Sequence, residues 1–267
     1  PRSSSLWMSL ARRWDRTGQR EDALSAYEEA LGLASDPRQQ VEVRLAYSDF
    51  LVRIGKVRAG LDQARSALLA APRDHRVFGA LARAYESLGD WSEAEGALTS
   101  AMAVARGVSR EGVARYGDWL GQLLTRRGQA DRALALYREV VAAVSEDPYV
   151  RTSLAKLLEG QGRWSEALPQ YQAAERLAPN HAGLRFDIGH AYVRHGLMRE
   201  GVTALEAVVV NAPRWTAPRV HLAQMYAQLG SPDRAREQYR QVLALEPANE
   251  AARRALAALD GTSSSTR

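Results

Sequence analysis

The amino-acid sequence predicts an all-α protein, a solenoid of antiparallel helix pairs. A glycine recurs along the chain, and its spacing is the same in four of the six successive intervals. A large, mostly apolar residue stands four and eight positions before each glycine, and a small residue stands five positions after it. Apolar residues at this spacing share one face of a helix. The recurring glycines are Gly18, Gly55, Gly89, Gly128, Gly162, Gly196 and Gly230.

Each element of the predicted pair has a physical reason. The glycine ends the first helix, because a left-handed backbone conformation costs little without a Cβ. The small residue lets the second helix approach the first, and a larger residue four positions later, such as Tyr171, fills the gap between pairs. Because so short a pair cannot bury its apolar face alone, stacking of pairs must supply the core. Prolines that stop the second helix follow four of the glycines at a constant distance, at Pro72, Pro179, Pro213 and Pro247.

This pattern divides the chain into seven repeats and a final helix. Short insertions follow the first repeat, at Arg38-Gln39-Gln40, and the third, from Ser109 to Val113. Residues 250–260 predict a capping helix with an apolar inner face, and the small polar residues 261–267 predict a flexible tail. We therefore expect one solenoid domain over residues 4–260, with repeats at 4–37, 41–74, 75–108, 114–147, 148–181, 182–215 and 216–249.

At these positions the sequence resembles the tetratricopeptide repeat family. The resemblance covers nearly the whole chain. It implies a right-handed superhelix in which the first helix of every repeat faces an inner, concave groove. It also implies a non-catalytic scaffold or adaptor that binds an extended peptide or a partner protein there. The family's large, small and aromatic positions are clearest in Trp7…Leu10-Ala11…Trp14 and in Ile188-Gly189…Tyr192.

The resemblance also implies which side chains face the groove, since the second, fifth, sixth, ninth and twelfth positions of the first helix commonly line it. The ninth position is polar in every repeat and mostly carries hydrogen-bond donors: Arg12, Asp49, Arg83, Gln122, Lys156, His190 and Gln224. Such a series suits an extended peptide with carboxylates or backbone carbonyls, and aromatic groups beside arginine are typical of binding hot spots. A merely solvated helix face is the alternative. The expected partner-binding residues are Arg12, Arg83, Trp119, Gln122, Tyr149, Lys156, Phe186, His190, His221 and Gln224.

Composition excludes several classes of function. Of 267 residues, 46% are hydrophobic and 25% charged, as in a globular protein, and no apolar run approaches the roughly 20 residues of a membrane span. The absence of cysteine excludes disulfides and thiolate zinc sites. The net charge of +5 is spread along the repeats and not gathered into a stripe, so no nucleic-acid partner is expected.

The chain also lacks the motifs of common enzymes. It has no phosphate-binding glycine loop, no His-Glu-x-x-His and no Gly-x-Ser-x-Gly, so we expect no enzymatic activity and no cofactor. His190 and His221 lie on adjacent first helices, and Asp187 precedes His190 by one turn. Nothing in the sequence obliges these three to converge, so no metal is expected.

Four arginines precede a repeat glycine by two residues. At these first-helix C-termini a cation favours the exposed carbonyl groups, so their expected role is structural and they are left out of the predicted groove. They are Arg16, Arg53, Arg126 and Arg194.

Two specialised forms of the family do not fit. Members that clamp a C-terminal carboxylate use a Lys and an Asn where this chain has Met8 and Arg12. Members with an asparagine ladder differ too, because the asparagines here lie near repeat boundaries, at Asn180, Asn211 and Asn249. The expected partner is therefore a protein or peptide of unknown identity, partly acidic.

Two alternatives stay open. The chain starts at Pro1 without a targeting segment, which suggests a piece of something longer, in the cytoplasm or the periplasm. It would then be the recognition domain of a larger bacterial enzyme, such as a glycosyltransferase, or of a secretion or polysaccharide-export assembly. A bacterial source fits the scarcity of lysine against arginine. Homo-oligomerisation is the second alternative, through the last repeat or the apolar stretch Val208-Val209-Val210.

Overall fold

The computed structural model describes residues 3–264, and within this range every regular element is an α-helix, as the sequence predicts. Most first helices begin at a capping side chain, such as Asp36 before α3 and Asp147 before α9, which accepts hydrogen bonds from backbone N–H groups of the first turn. The helices are α1 (Ser4–Arg16), α2 (Arg20–Gly32), α3 (Pro37–Arg53), α4 (Val57–Ala70), α5 (His75–Leu88), α6 (Trp91–Ala105), α7 (Arg110–Arg126), α8 (Ala130–Ala143), α9 (Pro148–Gly160), α10 (Trp164–Leu177), α11 (Ala182–Arg194), α12 (Met198–Asn211), α13 (Thr216–Gln228), α14 (Pro232–Leu245) and α15 (Glu250–Ser264).

The chain divides into two compact units, unit 1 (Pro1–Ser145) and unit 2 (Glu146–Arg267). Unit 1 contains four helix pairs, α1 to α8, and unit 2 contains three pairs, α9 to α14, followed by α15. Within each unit the two helices of a pair pack against each other, and the second helix also packs against the first helix of the next pair. Each predicted repeat thus contains one pair.

The recurring glycine ends the first helix of each pair through its backbone conformation. All seven glycines have a positive φ, from 70° at Gly230 to 86° at Gly55, and no other residue type does so among residues 3–264. A side chain would strain this turn, which explains why glycine recurs there.

Close approach of the paired helices depends on the small residues. The seven small residues that follow the glycines are all buried. The closest approach involves Gly121 on α7, where an added Cβ would collide with the ring of Tyr137 on α8. Tyr137 is buried, as are the tyrosines at the same position of other repeats, Tyr27, Tyr171 and Tyr239. The prediction that large residues here fill the core is therefore confirmed for the tyrosines.

The two insertions lengthen first helices and do not form loops. Helices α3 and α7 have 17 residues, against 13 in α1 and α9. The extra turn begins at a capping side chain, Asp36 or Ser109, which accepts a hydrogen bond from the backbone N–H of Gln39 or Gly112. Helix α3 therefore starts at Pro37, before the predicted repeat start, because proline needs no hydrogen-bond partner there.

The C-terminal helix closes the apolar end of unit 2. Ala252 is buried, and Leu256 and Leu259 pack against the cluster that contains Tyr239 and Val242. Helix α15 continues to Ser264, through residues where a tail was expected; the rest of that tail, residues 265–267, lies outside the described range.

The apolar stretch considered for self-association belongs largely to the core. Val208 is fully buried and Val209 is half-buried, and only Val210 is exposed, at 77%. Separately, none of the helices described between residues 3 and 264 has the length and apolarity to cross a lipid bilayer.

Tyr171 tests the packing between pairs. It is fully buried, and its hydroxyl donates to Oε2 of Glu159 at 2.7 Å. Replacing Tyr171 by Ala should destabilise unit 2 by ~3–5 kcal/mol, the usual cost of emptying a large aromatic site. Tyr149, which is 51% exposed, is the matched control, and its replacement by Ala should change stability by only about 0.5 kcal/mol. Urea unfolding followed by circular dichroism measures both, and equal losses would contradict the packing described.

Candidate partner-binding surfaces

First helices of successive repeats lie side by side within each unit. In unit 1, α1 packs against α3 and α3 against α5; in unit 2, α9 packs against α11. Residues at the same first-helix position in neighbouring repeats are thereby brought together, and we call this surface the first-helix face of each unit.

A cleft of about 340 Å³ opens on the first-helix face of unit 1. Its lining residues come from α1, α3, α5 and α7, and most hold the second, fifth, sixth or ninth position of a repeat. Four arginines and one glutamate line it together with an indole, and we call it the arginine cleft: Arg12, Glu42, Arg76, Arg83, Arg115 and Trp119. The structure thus brings three of the expected residues together, Arg12, Arg83 and Trp119.

Two of the four arginines are held by carboxylates of the protein. The Arg76 guanidinium lies 2.7 Å from Asp74 and 2.7 Å from Glu42, and these hydrogen bonds raise the pKa of Arg76. Burial alone would raise the pKa of Asp74, but hydrogen bonds from the side chain and backbone of Arg76 lower it. Arg83 forms an ion pair with Asp49 of the preceding repeat. Both cations are therefore largely neutralised.

The other two arginines have only neutral partners. Arg115 donates to the hydroxyl of Tyr116 at 3.0 Å, and its guanidinium lies 4.8 Å from the centre of that ring. The side chain of Arg12 contacts only the sulfur of Met8, at 3.9 Å. Within residues 3–264 neither side chain forms an ion pair, so these are the two cleft arginines without a carboxylate partner.

Trp119 is fixed beside these cations. Its indole Nε1 donates to Glu86 Oε2 at 2.7 Å, and the Arg83 guanidinium lies 5.7 Å from the ring centre. The ring is half-buried, so one part of it stays available to a ligand. The neighbouring Gln122 does not line the cleft and instead donates to Asp118 at 2.8 Å.

Sequence reasoning missed Arg76 and Arg115. Both occupy the second position of their repeat, which the family pattern also assigns to the groove. The signal was present in the sequence, because the third and fourth repeats both carry arginine at this position.

In unit 2 the expected cation is already paired. Lys156 Nζ lies 2.6 Å from Asp187 Oδ2 on the next first helix. Asp187 therefore neutralises Lys156. No group of three or more His, Cys, Asp or Glu in the described part of the chain is placed to hold a metal.

Four rings gather on the first-helix face of unit 2, and we call them the aromatic cluster: Phe186, His190, Trp215 and His221. The ring centres of His190 and His221 are 4.2 Å apart and nearly perpendicular. Phe186 lies 4.6 Å from His190 and 4.7 Å from Trp215. The sequence indicated three of these residues but missed Trp215, which precedes α13 as its N-cap.

The histidines of the aromatic cluster are uncharged near neutral pH. Burial lowers the pKa of His190, and the charge of His221 lowers it further. Burial also lowers the pKa of His221, although a hydrogen bond with Gln224 acts in the opposite direction. Each neutral ring offers one donor and one acceptor. Because it bonds to His221, the exposed Gln224 lies beside the cluster. Tyr149 is not a member of the cluster, and its ring lies 5.4 Å from that of His181.

Arginines at first-helix C-termini join successive repeats. Arg53 pairs with Asp15 at 2.8 Å, and Arg194 pairs with Glu159 at 2.9 Å. Each contacts the twelfth residue of the preceding repeat, and Arg126 pairs with Glu86 in the same way. Arg16, in the first repeat, donates to the carbonyl of Arg12. The expected structural role therefore includes ion pairs that sequence reasoning had not foreseen.

The fold and these surfaces define an all-α repeat protein that presents side chains from stacked helix pairs. Three family models described as tetratricopeptide repeat match the chain. One matches residues 77–111, the second matches two overlapping ranges, 119–182 and 152–218, and the third matches 216–259. The chain belongs to the tetratricopeptide repeat family. The matches begin after the second repeat. The first two repeats lie outside them, yet the structure shows the same helix pairs there.

Solved structures share the fold at low sequence identity. A chain in the crystal structure of the APC/C hetero-tetramer Cut9-Hcn1 is 16% identical with a TM-score of 0.58; the match covers 93% of this chain and 48% of that one. A tetratricopeptide repeat protein from Parabacteroides merdae ATCC 43184 is 14% identical with a TM-score of 0.57, over 97% of this chain and 99% of that one. MamA from Desulfovibrio magneticus RS-1 is 20% identical with a TM-score of 0.52, over 66% and 96%. No curated protein matches the sequence.

Stability should depend on pH through the paired histidines. Because the folded state lowers the pKa of His190 and His221, the unfolded chain binds more protons as the pH falls below the ordinary value of 6.5. This contribution to stability should therefore be complete well above that value and decrease as the pH falls from about 7 towards 5. The stability of the double variant His190→Gln with His221→Gln should fall less steeply as the pH decreases. The difference in slope between the two proteins should not exceed that expected for the binding of two protons. Urea unfolding at several pH values measures this difference. Parallel curves for the two proteins throughout this range would contradict the assignment.

Proposed function

We propose that this chain is a non-catalytic binding module in which the arginine cleft of unit 1 binds an extended, partly acidic segment of a partner protein. The observation that carries the proposal is the pair of cleft arginines, Arg12 and Arg115, that have no carboxylate partner within residues 3–264. Membership of the tetratricopeptide repeat family supports it, because this scaffold commonly mediates protein–protein interaction.

The chemistry of the cleft favours carboxylates. A guanidinium presents planar, paired donors that match a carboxylate with two parallel hydrogen bonds. Arg76 and Arg83 retain their own carboxylates and shape the cleft, while Arg12 and Arg115 supply the binding charge. Trp119 adds an apolar surface beside Arg83, a combination typical of binding hot spots.

Binding of an acidic probe tests the arginine cleft. The probe is a fluorescein-labelled peptide of alternating glutamate and serine, compared with the same peptide containing glutamine. The double variant Arg12→Gln with Arg115→Gln should lose about tenfold in affinity, since two exposed ion pairs contribute roughly 0.5–1 kcal/mol each. Affinity should also fall as salt screens the charges. Fluorescence anisotropy measures both effects, with circular dichroism to verify folding.

A matched control separates the cleft from net charge. Arg20 on α2 and Arg58 on α4 are exposed on second helices of the same unit, so their replacement by Gln removes the same charge elsewhere. This control should lose less than about threefold, a long-range effect that salt abolishes. Equal losses in the two double variants, or equal binding of the glutamine peptide, would refute an acidic ligand in the cleft.

A further inference from the structure

The aromatic cluster lies at the edge of the core of unit 2, where Phe186 packs against buried residues that include Leu205 and Leu222. Large side chains inside the helix pairs, such as Tyr171, are fully buried, whereas all four rings of the cluster are only half-buried. Three of them hold the fifth, sixth or ninth position of a first helix, as the arginine cleft residues do. The cluster therefore keeps aromatic surface exposed on the first-helix face of unit 2.

We propose that Phe186, His190, Trp215 and His221 form a binding site for one tyrosine or tryptophan side chain of a polypeptide partner. The proposal rests on the proposed function in one respect, that the chain binds polypeptides. The aromatic cluster lies in a different unit from the arginine cleft and binds by a different chemistry, so either proposal can be refuted while the other holds.

The ring geometry favours an aromatic occupant. Phe186 lies between its neighbours, with ring planes at 79° to His190, 59° to His221 and 48° to Trp215. None of these pairs is stacked face to face. Aromatic rings prefer edge-to-face and offset contacts with centres about 4.5–7 Å apart, and each such pair adds to simple burial.

The charges around the cluster favour an uncharged occupant. On the same face Lys156 and Asp187 neutralise each other at 2.6 Å. Of the other charged side chains on α11, Arg185 pairs with Glu175 at 2.9 Å, and Arg194 pairs with Glu159. With both histidines uncharged, α11 presents no unpaired charge beside the cluster.

The imidazoles then select among uncharged side chains. A neutral imidazole has one ring N–H donor and one bare nitrogen acceptor, and one of these groups on His221 already bonds to Gln224. The hydroxyl of tyrosine and the indole N–H of tryptophan need a hydrogen-bond partner when their rings become buried. Leucine has no such group, so the site distinguishes it from tyrosine and tryptophan.

Small amides provide a direct test of this site. N-acetyl-L-tryptophanamide and N-acetyl-L-tyrosinamide are added to the whole chain, with N-acetyl-L-leucinamide as the control probe. Carbon–proton correlation spectra report the Cε1–H signals of the five histidines, assigned through single His→Gln variants. We expect saturable shifts of the His190 and His221 signals with the aromatic amides, and none for His75 in unit 1.

Matched tryptophan variants complete the test. Trp215→Ala should weaken the tryptophanamide response at least threefold. Trp164→Ala should leave it unchanged, because Trp164 is another half-buried tryptophan of unit 2 that stacks instead on His195, at 3.8 Å. Circular dichroism verifies that both variants fold.

Three outcomes would overturn the proposal: equal shifts with leucinamide, shifts of His75 as large as those of the cluster, or equal weakening by the two tryptophan variants. Loss of acidic-peptide binding in unit 1 alone would leave it standing. Conversely, if the histidine signals do not shift while the acidic peptide binds normally, the aromatic site is refuted and the arginine cleft is retained.

Discussion

Two short antiparallel helices cannot enclose an apolar core, and the rest of the molecule depends on this constraint. Each pair must expose an apolar face, which only a neighbouring pair can cover. Within a pair the two helices can pack closely because one carries a residue with little or no side chain where the other carries a ring. The contact of Gly121 with Tyr137 shows the limit, since even one methyl group would collide with the ring.

This constraint fixes the apolar positions and leaves the first-helix face free to vary. The core needs a small residue in every repeat and, in most repeats, a tyrosine or leucine four positions later, but the second, fifth, sixth and ninth positions of the first helix have no such obligation. In unit 1 they carry arginines and a tryptophan; in unit 2 they carry histidines and a phenylalanine. One scaffold thus presents a cationic surface in one unit and an uncharged aromatic surface in the other.

Ion pairs between repeats decide which charges remain for a partner. Arg83 and Lys156 occupy the ninth position and were expected to face a ligand, yet each is neutralised by a carboxylate of an adjacent repeat. Arg12 and Arg115 have only neutral neighbours. A cation that is paired in the free protein gains little from a second carboxylate, whereas one with neutral partners gains the whole interaction. The two arginines without a carboxylate partner, Arg12 and Arg115, therefore define the candidate site better than the total number of cations does.

The helix pairs, the glycine turns and the residues of the core can be predicted from the sequence, because they follow from local backbone preference and from apolar spacing along one chain. The repeat positions also indicate Arg12, Arg83 and Trp119, and in unit 2 Phe186, His190 and His221. Contacts across the packed helices are needed to show that the insertions extend α3 and α7, that Trp215 joins the aromatic cluster, and which arginines are paired. Most of these ion pairs and ring contacts form between side chains of different repeats, which are distant in the chain and adjacent in space. Their partners depend on distances across the packed helices, and no local pattern in the sequence records those distances.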